Sequence, residues 1–167
     1  MKGTIPILSI VGRSNSGKTT LIEKLVRRLV GEGYRVATIK HNRGGFDIDH
    51  EGKDSWRHKQ AGARMTVLAS PGRVAVIEDV GRDLSIGELR ERYVHDVDII
   101  IVEGFKANPY PKIEVSRSVT GQELLCSVDD NLIGVATDRP VVPGMTRFDI
   151  DDIEPLFEHI VDLFLTE

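Results

Sequence analysis

One segment, Gly12 to Thr19, constrains the fold of this chain more than any other. Its sequence is Gly-Arg-Ser-Asn-Ser-Gly-Lys-Thr. It follows Ile7–Val11, a short β-branched run that is typical of a strand buried on both faces. From Thr19 to Glu32, apolar residues recur with helical spacing, which predicts an amphipathic helix. Strand, loop and helix in this order are the context that a G-x-x-x-x-G-K-[ST] motif needs to bind phosphate groups.

Each part of this motif has a physical role. Gly12 and Gly17 let the backbone curl so that successive N–H groups point at phosphate oxygens. The helix that begins near Lys18 adds its positive dipole end at the same place. Lys18 brings a full positive charge to the β- and γ-phosphates, and the Thr19 hydroxyl can ligate Mg²⁺. The predicted nucleotide-binding residues of the loop are Gly12, Ser14, Asn15, Ser16, Gly17, Lys18, Thr19 and Thr20.

The rest of the chain alternates strand and helix signals. Further strands are predicted at Tyr34–Lys40, Val97–Val102, Lys112–Val115 and Leu132–Ala136, an antiparallel hairpin at Met65–Ala69 and Arg73–Ile77, and helices at Asp54–Ala61, from Ser85 to about Tyr93 and at Asp152–Leu165. Together these elements predict an α/β fold, a P-loop NTPase-like three-layer sandwich with a mixed, mainly parallel sheet. The length of 167 residues and the lack of a long linker predict a single nucleotide-binding domain over residues 1–167.

A phosphate-binding loop needs a carboxylate at the end of a neighbouring strand. Glu103 follows the most apolar run of the chain and is predicted to hold the metal through water or to orient a nucleophile, so Lys18 and Glu103 are the predicted catalytic residues. Gly104 would allow the backbone to approach the γ-phosphate closely. Asp47 and Asp49, in the loop after the second strand, are further candidate magnesium ligands beside Thr19 and Glu103. A solvated loop is the alternative for Asp47 and Asp49.

Asp138 follows the Leu132–Ala136 strand, at the sheet edge where a base can lie. Its carboxylate can accept hydrogen bonds from both N1–H and N2–H₂ of guanine, whereas adenine has no such donor pair. We therefore expect Asp138 to select guanine, and a turn residue before Arg139-Pro140 is the alternative. No N-K-x-D motif is present in the sequence.

The charge and composition limit the partners. A formal net charge of −4 argues against bulk binding of nucleic acid. No apolar stretch is long enough to span a bilayer, and the N-terminal segment lacks the features of a signal peptide, so we expect no membrane association and a cytoplasmic location. Cys126 is the only cysteine, which excludes an intrachain disulfide framework.

These segments together resemble the molybdopterin-guanine dinucleotide biosynthesis protein B (MobB) family. The resemblance covers nearly the whole chain and rests on Gly12–Thr20, Thr38–His41, Phe46–Asp49, Gly52–Ser55, Ala61–Ala63, Asp98–Lys106 and Pro111–Val115. It implies a homodimeric accessory protein of molybdenum cofactor biosynthesis that binds GTP and Mg²⁺ and hydrolyses GTP weakly. It also implies a molybdenum cofactor guanylyltransferase as partner, with molybdopterin as a further possible ligand.

Two other functions stay open. One is an independent P-loop phosphotransferase or ligase that acts on a small metabolite, similar to dethiobiotin synthetase. The other is a nucleotide-binding adapter that does not hydrolyse its ligand. The sequence favours an accessory GTPase or an adapter, because it has no separate lid segment and only short loops for an acceptor pocket.

Overall fold

The structure is a computed structural model that describes residues 4–42, 44–120, 123–141 and 143–166. Within these ranges its strands are β1 (Ile7–Val11), β2 (Val36–Lys40), β3 (Met65–Ser70), β4 (Arg73–Glu78), β5 (Ile99–Glu103), β6 (Lys112–Ser116), β7 (Leu132–Thr137) and β8 (Arg147–Asp149). Its α-helices are α1 (Lys18–Gly31), α2 (Asp54–Gln60), α3 (Ile86–Tyr93) and α4 (Glu154–Phe164). Ser118–Thr120 and Val128–Asp130 form short 3-10 turns.

The chain divides into two compact units. The first takes in Met1–His41 and Arg90–Glu167, and the second is Asn42–Leu89. That residues 1–167 act as a single domain stays a prediction.

A six-stranded sheet with the order β2-β5-β1-β6-β7-β8 forms the first unit. Every pairing in it is parallel, and β1 lies between β5 and β6. Since parallel strands end at the same edge, the residues that follow β2, β5, β1, β6 and β7 all lie along the carboxyl edge of this sheet, where ligands bind in open α/β folds. The predicted α/β fold with a mainly parallel sheet is confirmed.

The largest core cluster lies on one face of this sheet. Leu8 and Ile10 of β1 share it with Ile99 and Ile101 of β5, and residues of α1 and α4 complete it. The predicted helical stripe of α1 is buried at Leu21, Ile22, Leu25 and Leu29. Val30 continues the same apolar spacing but is 54% exposed, because it lies at the edge of the stripe in the last turn of the helix.

Antiparallel pairing is confined to the second unit, where β3 and β4 form a two-stranded sheet. Pro71 and Gly72 connect the two strands, and the φ of 86° at Gly72 fits a type II turn. Ser85 and Glu88 exchange the two hydrogen bonds of a capping box at the start of α3. Within the described ranges, every helix is too short or too polar to cross a bilayer.

Candidate functional site

The loop between β1 and α1 has the backbone of a phosphate-binding loop. Gly12, Asn15 and Gly17 have positive φ angles of 149°, 60° and 96°. A β-carbon at Gly12 would lie 2.4 Å from the carbonyl oxygen of Val115, so the loop passes too close to β6 for any side chain. Gly17 is the N-cap of α1, which directs the free N–H groups of the helix start into the loop.

Side chains of the loop divide between its inner and outer surfaces. Ser16 is fully buried and its hydroxyl has no hydrogen-bond partner among the described residues. Ser14 and Asn15 are exposed at the tip, and Thr20 is exposed on the first turn of α1. The Lys18 ammonium group donates to the carbonyl oxygens of Gly12, at 3.1 Å, and Arg13, at 2.7 Å, so it lies over the loop, where the motif predicts it.

The predicted contact between the loop and a neighbouring carboxylate is present. Thr19 Oγ1 donates to Glu103 Oε1 at 3.3 Å, although the two residues belong to different elements. Glu103 ends β5 and its side chain is only 17% exposed. Its other oxygen lies 3.6 Å from Lys40 Nζ, because Lys40 ends β2 in register with Glu103. A hydroxyl and a carboxylate thus meet beside the start of α1.

Gly104 turns the chain away from β5 at this point. Its φ is 93°, and an added β-carbon would lie 3.5 Å from the carbonyl oxygen of His41. Its amide donates to the carbonyl oxygen of Ile10, which ties the turn to β1. Phe105 then stacks on the His41 ring with 4.0 Å between ring centroids. The positive φ accounts for glycine at this position, because residues with side chains rarely adopt it. The approach of Gly104 to a γ-phosphate stays a prediction.

Asp98 directly precedes β5 and lies at the edge of the sheet opposite the loop, where a structural role is expected. It accepts hydrogen bonds from the Arg35 backbone amide, at 2.8 Å, and from the Arg35 guanidinium, at 2.7 Å. This pair fixes the starts of β2 and β5 side by side. Asp98 therefore has a structural partner, as the sequence indicated.

Asp47 and Asp49 lie in the second unit, in the segment before α2. Asp47 is exposed, whereas Asp49 Oδ1 accepts hydrogen bonds from the Ser55 hydroxyl and from the His50 amide, both at 2.9 Å. Asp49 Oδ2 is buried and has no hydrogen-bond partner among the described residues. Oδ1 of Asp49 thus stabilises the segment between Asp49 and Ser55. A magnesium-binding role for either aspartate stays a prediction.

Asp138 lies directly after β7 and has a protein partner that the sequence did not suggest. Its two oxygens accept hydrogen bonds from the backbone amide of Ser118, at 2.9 Å, and from the Ser118 hydroxyl, at 3.0 Å. The backbone hydrogen bond from Ser118 is the main cause that lowers the pKa of Asp138 below its ordinary value of 3.8. Each carboxylate oxygen keeps a second lone pair, so guanine selection stays a prediction.

Two cations at this edge were not recognised as site residues from the sequence. Lys40 lies beside Glu103, as described, and Arg117 follows β6 next to the loop. Lys40 is the last residue of β2, and Arg117 directly follows the last residue of β6. A search of the sequence for polar residues at the carboxyl ends of predicted parallel strands would have identified both. Among the described residues, no three His, Cys, Asp or Glu side chains come together as a metal-binding group.

Comparison with known proteins identifies the family. The model of the family described as Molybdopterin guanine dinucleotide synthesis protein B, MobB, matches residues 7–138. The chain belongs to the MobB family. The matched range begins at β1 and ends at Asp138, so it includes the phosphate-binding loop, Glu103 and the whole carboxyl edge from β2 to β7.

Individual MobB relatives match over nearly their full lengths. The Molybdopterin-guanine dinucleotide biosynthesis adapter protein of Haemophilus influenzae is 38% identical over 161 residues, with 96% of this chain and 90% of the relative covered. The protein of the same name from Escherichia coli is 36% identical, with 96% and 94% covered. A crystal structure of molybdopterin-guanine biosynthesis protein B (mobB) superposes with a TM-score of 0.75 at 33% identity, covering 94% of this chain and 99% of that one.

Proposed function

We propose that this chain binds GTP with Mg²⁺ at the carboxyl edge of its parallel sheet and serves as an accessory protein in the formation of molybdopterin guanine dinucleotide. Membership of the MobB family supports the pathway. The observation that carries nucleotide binding is the 3.3 Å contact between Thr19 Oγ1 and Glu103 Oε1. It joins the last residue of the motif to the terminal carboxylate of β5, as a metal–triphosphate site requires.

The residues at this contact suit Mg²⁺, which prefers hard oxygen ligands and keeps several of its waters. Thr19 would ligate the ion directly and Glu103 through a water molecule. When bound, Mg²⁺ neutralises charge on the β- and γ-phosphate oxygens. Lys18 supplies a second positive charge to the same oxygens, and Glu103 orients water for hydrolysis. Because the resemblance to the MobB family implies weak hydrolysis, we expect hydrolysis to be slow.

Guanine is the base that we expect Asp138 to select. The segment directly after Asp138 forms an open depression of about 470 Å³. Its lining is mainly apolar, as suits the faces of a planar base: Pro140, Val141, Pro143, Gly144, Met145 and Arg147. Adenine lacks this donor pair and would forgo two hydrogen bonds to the lone pairs that Asp138 keeps beside Ser118, at a cost of about 1–3 kcal/mol, or about tenfold to a hundredfold in affinity. In Asp138→Asn we expect the ratio of GTP to ATP affinity to fall toward one.

The accessory role follows from the relatives. The matched proteins of H. influenzae and E. coli carry the name adapter protein. An adapter for molybdopterin guanine dinucleotide would present GTP to the guanylyltransferase that joins GMP to molybdopterin, and molybdopterin itself would be a further ligand. The exposed carboxyl edge leaves a bound nucleotide accessible to such a partner.

We also expect a homodimer. The β3–β4 hairpin is a two-stranded sheet, which is marginally stable unless another surface covers it. Its apolar side chains are largely exposed, with Val67 at 55%, Val74 at 64% and Val76 at 46%. In sedimentation experiments, Val74→Lys is expected to shift the chain toward the monomer. Val119→Lys is the control, because Val119 is an even more exposed valine outside the hairpin. A dimer that persists unchanged in Val74→Lys excludes this hairpin as its interface.

Nucleotide binding is tested by titration calorimetry with GTP and ATP, with Mg²⁺ and with EDTA. Lys18→Ala is expected to abolish measurable binding, and Glu103→Gln is expected to weaken binding mainly when Mg²⁺ is present. Arg27→Ala is the matched control, because Arg27 is an exposed cation of the same helix two turns beyond the loop. A chain that binds no triphosphate with Mg²⁺, or that binds equally well in Lys18→Ala, contradicts the proposal.

The role of the bound nucleotide is tested with a guanylyltransferase and molybdopterin. Slow hydrolysis of GTP by the chain alone, together with faster formation of the dinucleotide in the mixture, supports the accessory GTPase. Stimulation without any hydrolysis supports a non-hydrolysing adapter. Phosphorylation of an added metabolite by the chain alone, with no effect on dinucleotide formation, indicates an independent phosphotransferase.

A further inference from the structure

Arg117 stands against the phosphate-binding loop on the side away from Glu103. It directly follows β6, and β6 and β5 flank β1 on opposite sides. A β-carbon built on Gly17 would lie 3.8 Å from Arg117 Nε, so the guanidinium reaches the loop at the N-cap of α1. The side chain therefore borders the ring of loop amides to which the proposed function assigns phosphate binding.

The guanidinium of Arg117 is incompletely paired. Its Nε is buried and has no hydrogen-bond partner among the described residues. Its Nη2 lies 4.0 Å from Asp151 Oδ1, and the Asp151 side chain is 80% exposed and also lies 3.8 Å from Lys24 Nζ. An ion pair that is this long and this exposed contributes little to stability. A buried donor without an acceptor is costly, so an anion placed here gains a charge-assisted hydrogen bond.

The backbone of Arg117 is held in place on either side. Its amide donates to Thr120 Oγ1 at 3.4 Å, and its carbonyl oxygen accepts from the Thr120 amide at 3.0 Å. The next residue, Ser118, is held by both oxygens of Asp138. Asp138 therefore fixes the turn that presents Arg117 to the loop. The guanidinium is positioned in advance, which lowers the entropic cost of binding.

We propose that Arg117 is a phosphate ligand of the bound nucleotide and contacts the α- or β-phosphate, the phosphates that a nucleoside diphosphate retains. This inference rests on the proposed nucleotide binding. In the proposed function, Thr19 and Glu103 hold Mg²⁺, which would place the metal and the γ-phosphate on the β5 side of the loop. Arg117 lies on the β6 side, toward Asp138 and the nucleoside. The planar fork of a guanidinium matches two phosphate oxygens at once.

The experiment measures the affinities of GTP, GDP and inorganic tripolyphosphate, each with Mg²⁺, for the full chain and four variants. Arg117→Gln is expected to weaken all three by the same factor, roughly tenfold to a hundredfold, as for a lost charge-assisted hydrogen bond. Arg117→Lys is expected to restore part of the loss. Asp151→Asn is expected to bind at least as tightly as the parent, because it releases the guanidinium. Lys24→Gln removes the other cation beside Asp151, together with its long hydrogen bonds to the carbonyl oxygens of Ile150 and Asp151, and is expected to bind like the parent.

Other outcomes overturn the inference in distinguishable ways. Unchanged binding in Arg117→Gln removes the contact. Equal losses in Asp151→Asn or Lys24→Gln assign the effect to the chain around Asp151. A loss for GTP and tripolyphosphate that spares GDP assigns the contact to the γ-phosphate. A loss for both nucleotides that spares tripolyphosphate indicates contact with the nucleoside. A parent chain that binds none of the three ligands overturns the proposed function together with this inference.

Discussion

Replacing Gly12 with alanine adds a methyl group where the loop has no space for one. The new β-carbon would lie 2.4 Å from the carbonyl oxygen of Val115 and 2.8 Å from Ser16 Oγ. The φ of 149° at Gly12 is also one that residues with side chains rarely adopt. Since the nearest obstructing atom belongs to the backbone of β6, the clash is relieved only when the loop moves away from the sheet.

The expected magnitude follows from these two terms. A residue held in a disfavoured φ region costs about 1–3 kcal/mol. Overpacking against atoms that cannot move freely costs about 1–3 kcal/mol more. We therefore expect Gly12→Ala to lower the free energy of unfolding by about 2–6 kcal/mol. For a chain of this length, that lowers the midpoint of thermal unfolding by at least about 4 °C.

Gly31→Ala provides a control with the same chemical change and the opposite expected sign. Gly31 ends α1 and an added β-carbon meets nothing within 4 Å. Alanine is favoured over glycine in a helix by up to about 1 kcal/mol, so this variant should be slightly more stable than the parent. Thermal unfolding followed by circular dichroism compares the three proteins. A Gly12→Ala midpoint within 1 °C (about the error of the assay) of the parent, or equal shifts of one sign in both variants, would refute the steric reasoning.

Three further predictions concern stability. Glu114→Ala removes the buried carboxylate that accepts hydrogen bonds from the amides of Leu125 and Cys126. The free energy of unfolding, measured in urea, should fall by about 2–4 kcal/mol. A change below about 0.5 kcal/mol would contradict this prediction. The hydrogen bond from Arg82 is the main cause that lowers the pKa of Glu88 from 4.5 to about 2. The stability that ionised Glu88 contributes is complete above pH 4.5 and is lost as the pH falls toward 2. Over that window the melting temperature of the parent should therefore fall more steeply than that of Glu88→Gln. Parallel curves for the two proteins would show that the Arg82–Glu88 pair adds no stability. Gly134→Ala would place a β-carbon 2.5 Å from the ring of Phe148. It should lower the stability measured by calorimetry by about 1–3 kcal/mol, and an unchanged stability would show that the ring moves without cost.

The parts of the site that the sequence predicted are those with local signals. The phosphate-binding loop is continuous in the chain, and its glycines, lysine and hydroxyl have fixed spacings that follow from one strand–loop–helix unit. Glu103 was found because it ends the most apolar strand, and that strand pairs with β1 in the structure. Local patterns therefore predicted both which residues form this part of the site and at which edge of the sheet they lie.

Other parts of the site depend on strand order, which local patterns do not specify. Lys40 meets Glu103 only because β2 pairs with β5 in a register that aligns their last residues. Arg117 meets the loop only because β6 lies next to β1. The bond from Ser118 to Asp138 likewise needs β6 beside β7. β8 was missed for a different reason, since a three-residue strand is too short to show any period.

The arrangement of charge along the carboxyl edge supports the proposed binding of a polyanion by a chain with a net charge of −4. Lys18 and Arg117 lie at the loop itself, and Lys40 lies 3.6 Å from Glu103, which accepts a hydrogen bond from Thr19. Two acidic side chains near these cations already have protein partners, since Asp138 is held by Ser118 and Asp151 lies near Lys24 and Arg117. The electrostatic potential at the loop depends on which residues the strand order brings together, whereas the net charge describes only the whole chain. We therefore expect the cations at the loop, rather than the net charge, to decide whether the proposed site attracts a triphosphate.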